Sequence, residues 1–224
     1  MAHELKHLLV VLGAAALAWS SPAGADPNPA FGAQILKLAA RWDHAAYEMP
    51  NKKAELAELD LVVNDADALA AKNPARAEPL LWKGMALATK ADASVALRAL
   101  SFAKEARKVL ESAEALAPGT KRDGLLPALL GTLYANVPPA PIGFGDLERA
   151  ETYLKDAVSL NPDGIDENYF YGDFLMDRRR TKEAIVVLEH GLKAQPRPGR
   201  AVGDAGRRRD IEDLLREALG TTPK

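Results

Sequence analysis

Residues 168–196, NYFYGDFLMDRRRTKEAIVVLEHGLKAQP, have the spacing of small and large side chains that two antiparallel helices need where they cross. The positions concerned are Gly172 on the first helix and Ala184, Leu188, Gly191 and Pro196 on the second. Glycine or alanine at the crossing lets the two backbones approach, and the larger side chain fills the space beside it. The proline then ends the second helix. The stretch therefore predicts a helical hairpin.

The second-helix spacing recurs three times upstream. It is kept by three further sets of residues: Ala150, Leu154, Ala157 and Pro162; Ala106, Leu110, Ala113 and Pro118; and, with fewer small residues, Val62, Ala66, Leu69 and Pro74. The first helices of the two middle units carry Gly131 and Gly84. Repeated hairpins that share this pattern stack into a solenoid. We therefore predict one all-α domain with units at 31–74, 78–118, 123–162 and 166–196 and a capping helix at 204–219.

Two units are longer than the last one. In the second unit, ten extra residues lie around positions 90–101 and are expected to lengthen both helices. In the third unit, the segment NVPPAPIGFG at residues 136–145 adds a loop, because its prolines exclude a helix.

Over residues 55–200 this pattern resembles tetratricopeptide repeats, whose period of about 34 residues separates Pro162 from Pro196. The resemblance implies a solenoid of helical hairpins with a capping helix. Within that superfamily, the proline-rich loop followed by Gly143-Phe144-Gly145-Asp146 and Ala150, together with the turn at residues 161–163, resembles the exported T-component proteins of TRAP transporters.

That second resemblance implies a periplasmic module that docks on a solute-binding protein, forms homo-oligomers and presents a cleft for a small apolar ligand. The lipoprotein members of the family have a cysteine after the leader, which this chain lacks. A structural scaffold or assembly factor for another cell-envelope complex is the alternative function.

The N-terminus predicts export. Residues 1–25 have Lys6 near the start, an apolar run over residues 8–19 and the small residues Ala23-Gly24-Ala25 at a cleavage site, so the mature chain is expected to begin at Asp26. The apolar run is too short for a membrane span, which takes about 20 residues. The chain contains no cysteine, which excludes disulfides and thiolate metal sites. We expect a periplasmic or secreted protein without a stable membrane anchor.

The formal net charge of −2 gives no reason to expect a nucleic acid as partner. Residues 8–224 contain two histidines, His44 and His190, and neither has the histidine partner at i+4 that a helical metal site requires. Asp43 and His44 form the one candidate acid–base pair, with an ordinary surface pair as the alternative. We predict no catalytic residue, no metal, no cofactor and no enzymatic activity.

A tetratricopeptide solenoid binds its partners on the concave groove that the first helices line. Counting from the packing glycines places six side chains there: Leu81, Met85, Ala128, Thr132, Tyr169 and Asp173. This groove is mainly apolar, and it predicts a protein partner or a small apolar ligand. The alternative is that half of these side chains belong to the core.

The loop at residues 138–145 has two interpretations. Ile142 and Phe144 are apolar on a loop where solvated positions would be polar, so they either close over the groove as a lid or pack against the adjoining helices. The arginine runs at residues 178–180 and 207–209 are likewise either solvated faces or a patch for an acidic partner surface.

Overall fold

The computed structural model describes residues 29–117 and 124–220, and in these it contains nine α-helices and no strand. The helices are α1 (Pro29–Glu48), α2 (Lys52–Lys72), α3 (Glu78–Asp92), α4 (Ala96–Leu116), α5 (Leu125–Asn136), α6 (Leu147–Leu160), α7 (Ile165–Asp177), α8 (Thr181–Gly191) and α9 (Ala201–Ala218). The predicted all-α fold class is therefore confirmed. The predicted leader at residues 1–25 and the closing Pro118 lie outside the described residues. No helix in the described part has the length and apolar composition of a membrane span.

The first eight helices form four consecutive hairpins, and each hairpin also contacts the next one. Gly84, Gly131 and Gly172 lie at the crossings of the second, third and fourth hairpins. A Cβ atom at Gly131 would lie 2.7 Å from Leu154 Cγ and 3.0 Å from the Ala150 carbonyl oxygen. A Cβ atom at Gly172 would collide with Leu188 in the same way. In these three hairpins the large residue of the pattern is fully buried against the glycine, namely Leu110, Leu154 and Leu188.

The core is deepest around α5, which is apolar on all sides. Its residues from Leu125 to Gly131 are all buried, as are Leu133 and Tyr134. A helix without a polar face requires neighbours all round, and α5 packs against α3, α4, α6 and α7. The first helices α1, α3, α5 and α7 contact one another in that order along the solenoid.

The two insertions have different structures. The helices α3 and α4 are 15 and 21 residues long, against 13 and 11 for α7 and α8. They meet in a turn whose flanking side chains, Val95 and Leu97, are exposed. The proline-rich segment forms a loop that ends at Asp146, where the side chain accepts hydrogen bonds from the Glu148 and Arg149 amides and caps α6.

The last helix makes a contact that the sequence pattern did not predict. Helix α9 begins at Ala201 and packs on α7 and α8, as a capping helix does. It also packs on α1, at the opposite end of the chain. The first and last units of the solenoid are therefore joined through α9.

We expect Gly172→Val to lower the free energy of unfolding by about 1–3 kcal/mol, because the added side chain has no space beside Leu188. Urea unfolding followed by circular dichroism measures this change. Ala115→Val adds two methyl groups at an exposed position of α4 and should cost less than about 1 kcal/mol, which is the lower helix propensity of valine. Equal effects of the two substitutions would contradict the crossing role of Gly172.

Candidate binding surface on the inner face of the solenoid

We define the inner face as the surface that the first helices α1, α3, α5 and α7 present on the inside of the solenoid. Helix α9 contacts α1 and α7, the first and the last of these helices, so it bridges the two ends of this face. Two arginines of this C-terminal segment, Arg200 and Arg207, each meet a carboxylate and an aromatic ring of the inner face.

The first of these contacts is an ion pair between Arg200 and Asp43 of α1. Arg200 Nε donates to Asp43 Oδ2 at 2.6 Å, and Arg200 Nη2 donates to Asp43 Oδ1 at 2.7 Å. The exposed fractions of the two side chains are 7% and 1%. The guanidinium also lies 4.9 Å from the centre of the Trp82 ring, and Trp82 packs on Trp42. The arrangement is a bidentate, charge-assisted pair with a cation–π contact.

The second contact is centred on Asp166 of α7, which is buried. Arg207 Nε donates to Asp166 Oδ1 at 2.8 Å, and Arg197 Nη1 donates to Oδ2 at 2.5 Å. The Arg207 guanidinium lies 4.0 Å from the centre of the Tyr169 ring and 4.9 Å from that of Phe170. Burial raises the pKa of Asp166, but the attraction of Arg207, Arg197 and Arg200 outweighs it and holds the pKa below its usual range.

Two glycines of α9 let the helix approach α1 closely. A Cβ atom at Gly203 would overlap the Asp43 carboxylate, and a Cβ atom at Gly206 would overlap the Tyr47 ring. One turn further along, the Tyr47 hydroxyl donates to Asp210 Oδ2 at 2.8 Å. Burial is the main cause that raises the pKa of Tyr47, so the phenol remains a hydrogen-bond donor.

The structure separates the six groove positions into two groups. Leu81, Met85 and Ala128 are buried in the core, whereas Thr132, Tyr169 and Asp173 are half-buried. The Thr132 hydroxyl donates to the Ala128 carbonyl oxygen within its own helix at 2.9 Å. The Arg207 guanidinium covers the Tyr169 ring, so a side chain of the protein itself occupies this part of the groove.

Asp173 has an unusual electrostatic environment. Burial raises the pKa of its carboxyl to about 6, with further contributions from Asp177 on its own helix and from Glu217 and Asp210 on α9. Arg207 acts in the opposite direction. The contact between α7 and α9 therefore contains one carboxyl that titrates close to neutral pH.

The proline-rich loop packs against its neighbouring helices. Phe144 meets Tyr134 of α5 edge-on with ring centres 5.6 Å apart, and the Arg107 guanidinium of α4 lies 4.2 Å from the Phe144 ring centre. Ile142, by contrast, is 67% exposed. The loop thus holds Phe144 in place and presents Ile142 to solvent.

Arg207 and Arg208 of the second arginine run bind inside the molecule. Arg208 donates to the carbonyl oxygens of Leu192 and Ala194, just beyond the end of α8. In the first run, Arg180 pairs with Glu151 and Glu183. Arg178, Arg179 and Arg209 are exposed.

The candidate acid–base pair does not form. Asp43 is engaged by Arg200, and His44 Nδ1 instead lies 2.6 Å from Glu48 Oε2. His190 Nε2 lies 2.8 Å from Asp163 Oδ1. Among the described residues, no three His, Asp or Glu side chains are placed to hold a metal ion.

An open cleft of about 670 Å³ lies beside α6. Its wall is largely charged and is formed by Glu114, Asp146, Glu148, Arg149, Thr152, Tyr153 and Asp156. These side chains give no support to binding of a small apolar ligand at this cleft.

Comparison with known proteins shows the fold. No protein-family model and no curated protein matches the sequence. The solved structure of TTC0263, a thermophilic TPR protein in Thermus thermophilus, is similar over 80% of this chain and 98% of that chain, with 17% identity and a TM-score of 0.52. The chain has the tetratricopeptide-repeat fold.

Two further structures are similar over much of their length. MamA matches 74% of this chain and 89% of its own, at 16% identity and a TM-score of 0.43. YrrB, a TPR protein with an unusual peptide-binding site, matches 76% of this chain and 81% of its own, at 19% identity and a TM-score of 0.41. Of these three, TTC0263 alone exceeds a TM-score of 0.5 and supports the fold assignment.

We expect Arg200→Ala to lower the free energy of unfolding by about 3–5 kcal/mol, because it leaves the buried Asp43 carboxylate without its counter-charge. The double variant Asp43→Ala/Arg200→Ala should lose less than the sum of the two single variants, since neither charge is then left unpaired. Urea unfolding of all four proteins gives the coupling free energy. Arg216→Ala, which removes one partner of the exposed pair with Asp213, is the control and should cost less than about 1 kcal/mol. Additive losses at Asp43 and Arg200 would contradict the buried pair.

We expect Asp173→Asn to raise the free energy of unfolding at pH 8 by roughly 1–2 kcal/mol and by less at pH 5. The folded state holds the Asp173 proton more tightly than the unfolded chain, because the pKa of this carboxyl is raised from its ordinary value of 3.8 to about 6. The stability gained from protonation is complete below pH 3.8 and is lost as the pH rises through 6. Urea unfolding at both pH values measures the difference, with the exposed Glu189→Gln as control. An equal effect of Asp173→Asn at the two pH values would refute this assignment.

Proposed function

We propose that this chain is a non-catalytic protein-binding module that acts in the periplasm after export. The observation that carries the proposal is that the inner face of its solenoid holds a helix, α9, through side chains from the first and the fourth unit. The surface on which tetratricopeptide solenoids receive partners therefore has the shape and the charges to bind a helical segment.

The chemistry of the inner face favours recognition over catalysis. Its two buried carboxylates, on Asp43 and Asp166, are each paired with arginine. Asp43, the candidate general base, contacts Arg200 instead of His44. A carboxylate that is held by a guanidinium is poorly placed to accept a proton from a substrate.

The proposed partner is a periplasmic solute-binding protein of the TRAP type. The support is the resemblance of the loop at residues 143–150 to the T-component proteins, together with the exposure of Ile142 on that loop. Because Phe144 is anchored between Tyr134 and Arg107, the loop presents Ile142 on a supported backbone. An apolar side chain in such a position suits a contact with another protein.

Titration calorimetry of the mature chain against a TRAP solute-binding protein from the same source tests this partner. We expect saturable binding that Ile142→Asp weakens at least tenfold, because the new charge would be buried at the contact. Val186→Asp is the matched control, since Val186 on α8 is 68% exposed and Ile142 is 67% exposed. Absence of binding, or an equal loss in both variants, would reject the proposed partner.

Export is tested separately. Cell fractionation should recover the protein in the periplasm, and N-terminal sequencing should begin at Asp26, after the small residues of the proposed cleavage site. A cytoplasmic protein that retains residues 1–25 would contradict the proposed location.

A scaffold or assembly factor for another envelope complex is the second candidate function. The exposure of Arg178 and Arg179 at the turn between α7 and α8 favours it, because these cations are available to an acidic partner surface. Charge reversal at these two residues would abolish binding to such a partner. Arg207 is unsuitable for this test, since its loss would break the buried contact with Asp166.

A further inference from the structure

The inner face contains two sites of the same chemical kind. Each has a buried carboxylate that pairs with a guanidinium and an aromatic ring beneath that guanidinium. The first site consists of Asp43 and Trp82, and the second consists of Asp166 with Tyr169 and Phe170. A site of this composition favours arginine over lysine, because a planar guanidinium can stack on a ring while it donates to a carboxylate. Arg200 pairs bidentately with Asp43. Arg207 donates to one oxygen of Asp166, and Arg197 donates to the other.

The two arginines that occupy these sites are spaced so that their side chains leave one face of a helix. Arg200 directly precedes α9, and Arg207 follows seven residues later. Seven residues are about two helical turns, so the two side chains leave the same face of the helix about 10 Å apart. Gly203 and Gly206 lie between them on the side toward α1, where any larger residue would meet Asp43 or Tyr47. The inner face is therefore complementary to a defined helix pattern, with arginines at i and i+7 and small residues at i+3 and i+6.

The two halves of α9 are attached by different interactions. The first half and the residue before it meet α1 through an ion pair, one tyrosine hydrogen bond and two glycines. Its contacts with the last unit are also polar, through Arg207 on Asp166 and Arg208 on the carbonyl oxygens beyond α8. The second half packs Ile211, Leu214 and Leu215 into the apolar cluster of the last unit, with Ile165, Leu175 and Leu188. Release of the first half would expose the two arginine sites and leave the apolar cap of the last unit in place.

We infer that the inner face is a binding site for a partner helix that carries two arginines seven residues apart, and that the first half of α9 occupies this site in the free protein. Such a partner supplies the same two guanidinium groups that α9 supplies, so exchange leaves neither Asp43 nor Asp166 buried without a counter-charge. The inference rests on the proposed function in one respect, which is that the natural ligand is a protein.

Peptide rebinding tests the site. The probe is a fluorescein-labelled peptide of residues 196–213, and the control peptide has glutamine in place of Arg200 and Arg207. The receptor is the full chain with Arg200→Ala and Arg207→Ala, which removes both of these guanidinium groups and keeps Asp43 and Asp166. Arg197 still pairs with Asp166 in this variant. In fluorescence anisotropy, we expect the variant to bind the probe at least tenfold more tightly than the wild type does, and at least tenfold more tightly than it binds the control peptide. Equal affinity for the two peptides would overturn the inference.

Hydrogen exchange of the wild-type chain provides a second test that does not depend on the folding of any variant. The amides of residues 205–208 should exchange at least tenfold faster than those of residues 211–215, because the first half of α9 opens while the second half stays packed. Uniform exchange across these two segments, at the rate of α7 and α8, would overturn the inference.

The peptide and calorimetry experiments together distinguish a failure of the arginine sites from a failure of the proposed partner. If the peptide rebinds but the solute-binding protein does not bind, the partner is wrong and the arginine sites stand. If the solute-binding protein binds with an affinity that neither the probe peptide nor the two arginine substitutions change, the proposed partner stands and the inner face is not its site.

Discussion

The ion pair between Arg200 and Asp43 joins residues that are 157 positions apart and closes the solenoid on itself. Both side chains are buried, where an ion pair is little screened by solvent and the loss of one partner is costly. The pair sets the position of α9, and α9 determines what the inner face of the solenoid presents. We expect the hairpins to stack without this contact, because each hairpin also packs on the next one.

The same constraint explains the residues around the pair. Gly203 and Gly206 are required because α9 approaches Asp43 and Tyr47 so closely. Arg207 meets Asp166, Tyr169 and Phe170 because it leaves α9 on the same side as Arg200. Further along α9, the contacts become apolar and end on the last unit. Helix α9 therefore caps the last repeat through apolar contacts and binds the first unit through polar ones.

The hairpins could be predicted because their spacing is local: Gly172 and Leu188 are 16 positions apart and follow a repeated pattern. The inner face could not be predicted because its contacts join distant helices. Asp43 had a nearer candidate partner in His44, and Arg207 belongs to a like-charge run that is typical of a solvated face. Leu81 and Met85 follow the groove spacing, but neighbouring helices bury them. The helix α9 itself was predicted as a cap, but its contact with α1 was not. The sequence signal for that contact is the spacing of Gly203 and Gly206, since glycines three residues apart in a helix indicate a closely packed face.

The position of α9 on α1 can be measured directly in solution, because the chain has no cysteine of its own and Ala205 is exposed on α9. A nitroxide attached to Ala205→Cys broadens the NMR signals of nearby amides. If α9 closes the inner face, the amides of residues 43–48 in α1 will be broadened together with those of α8. If α9 only caps the last unit, the α8 signals will be broadened while those of α1 stay sharp, and that result would contradict the closed solenoid.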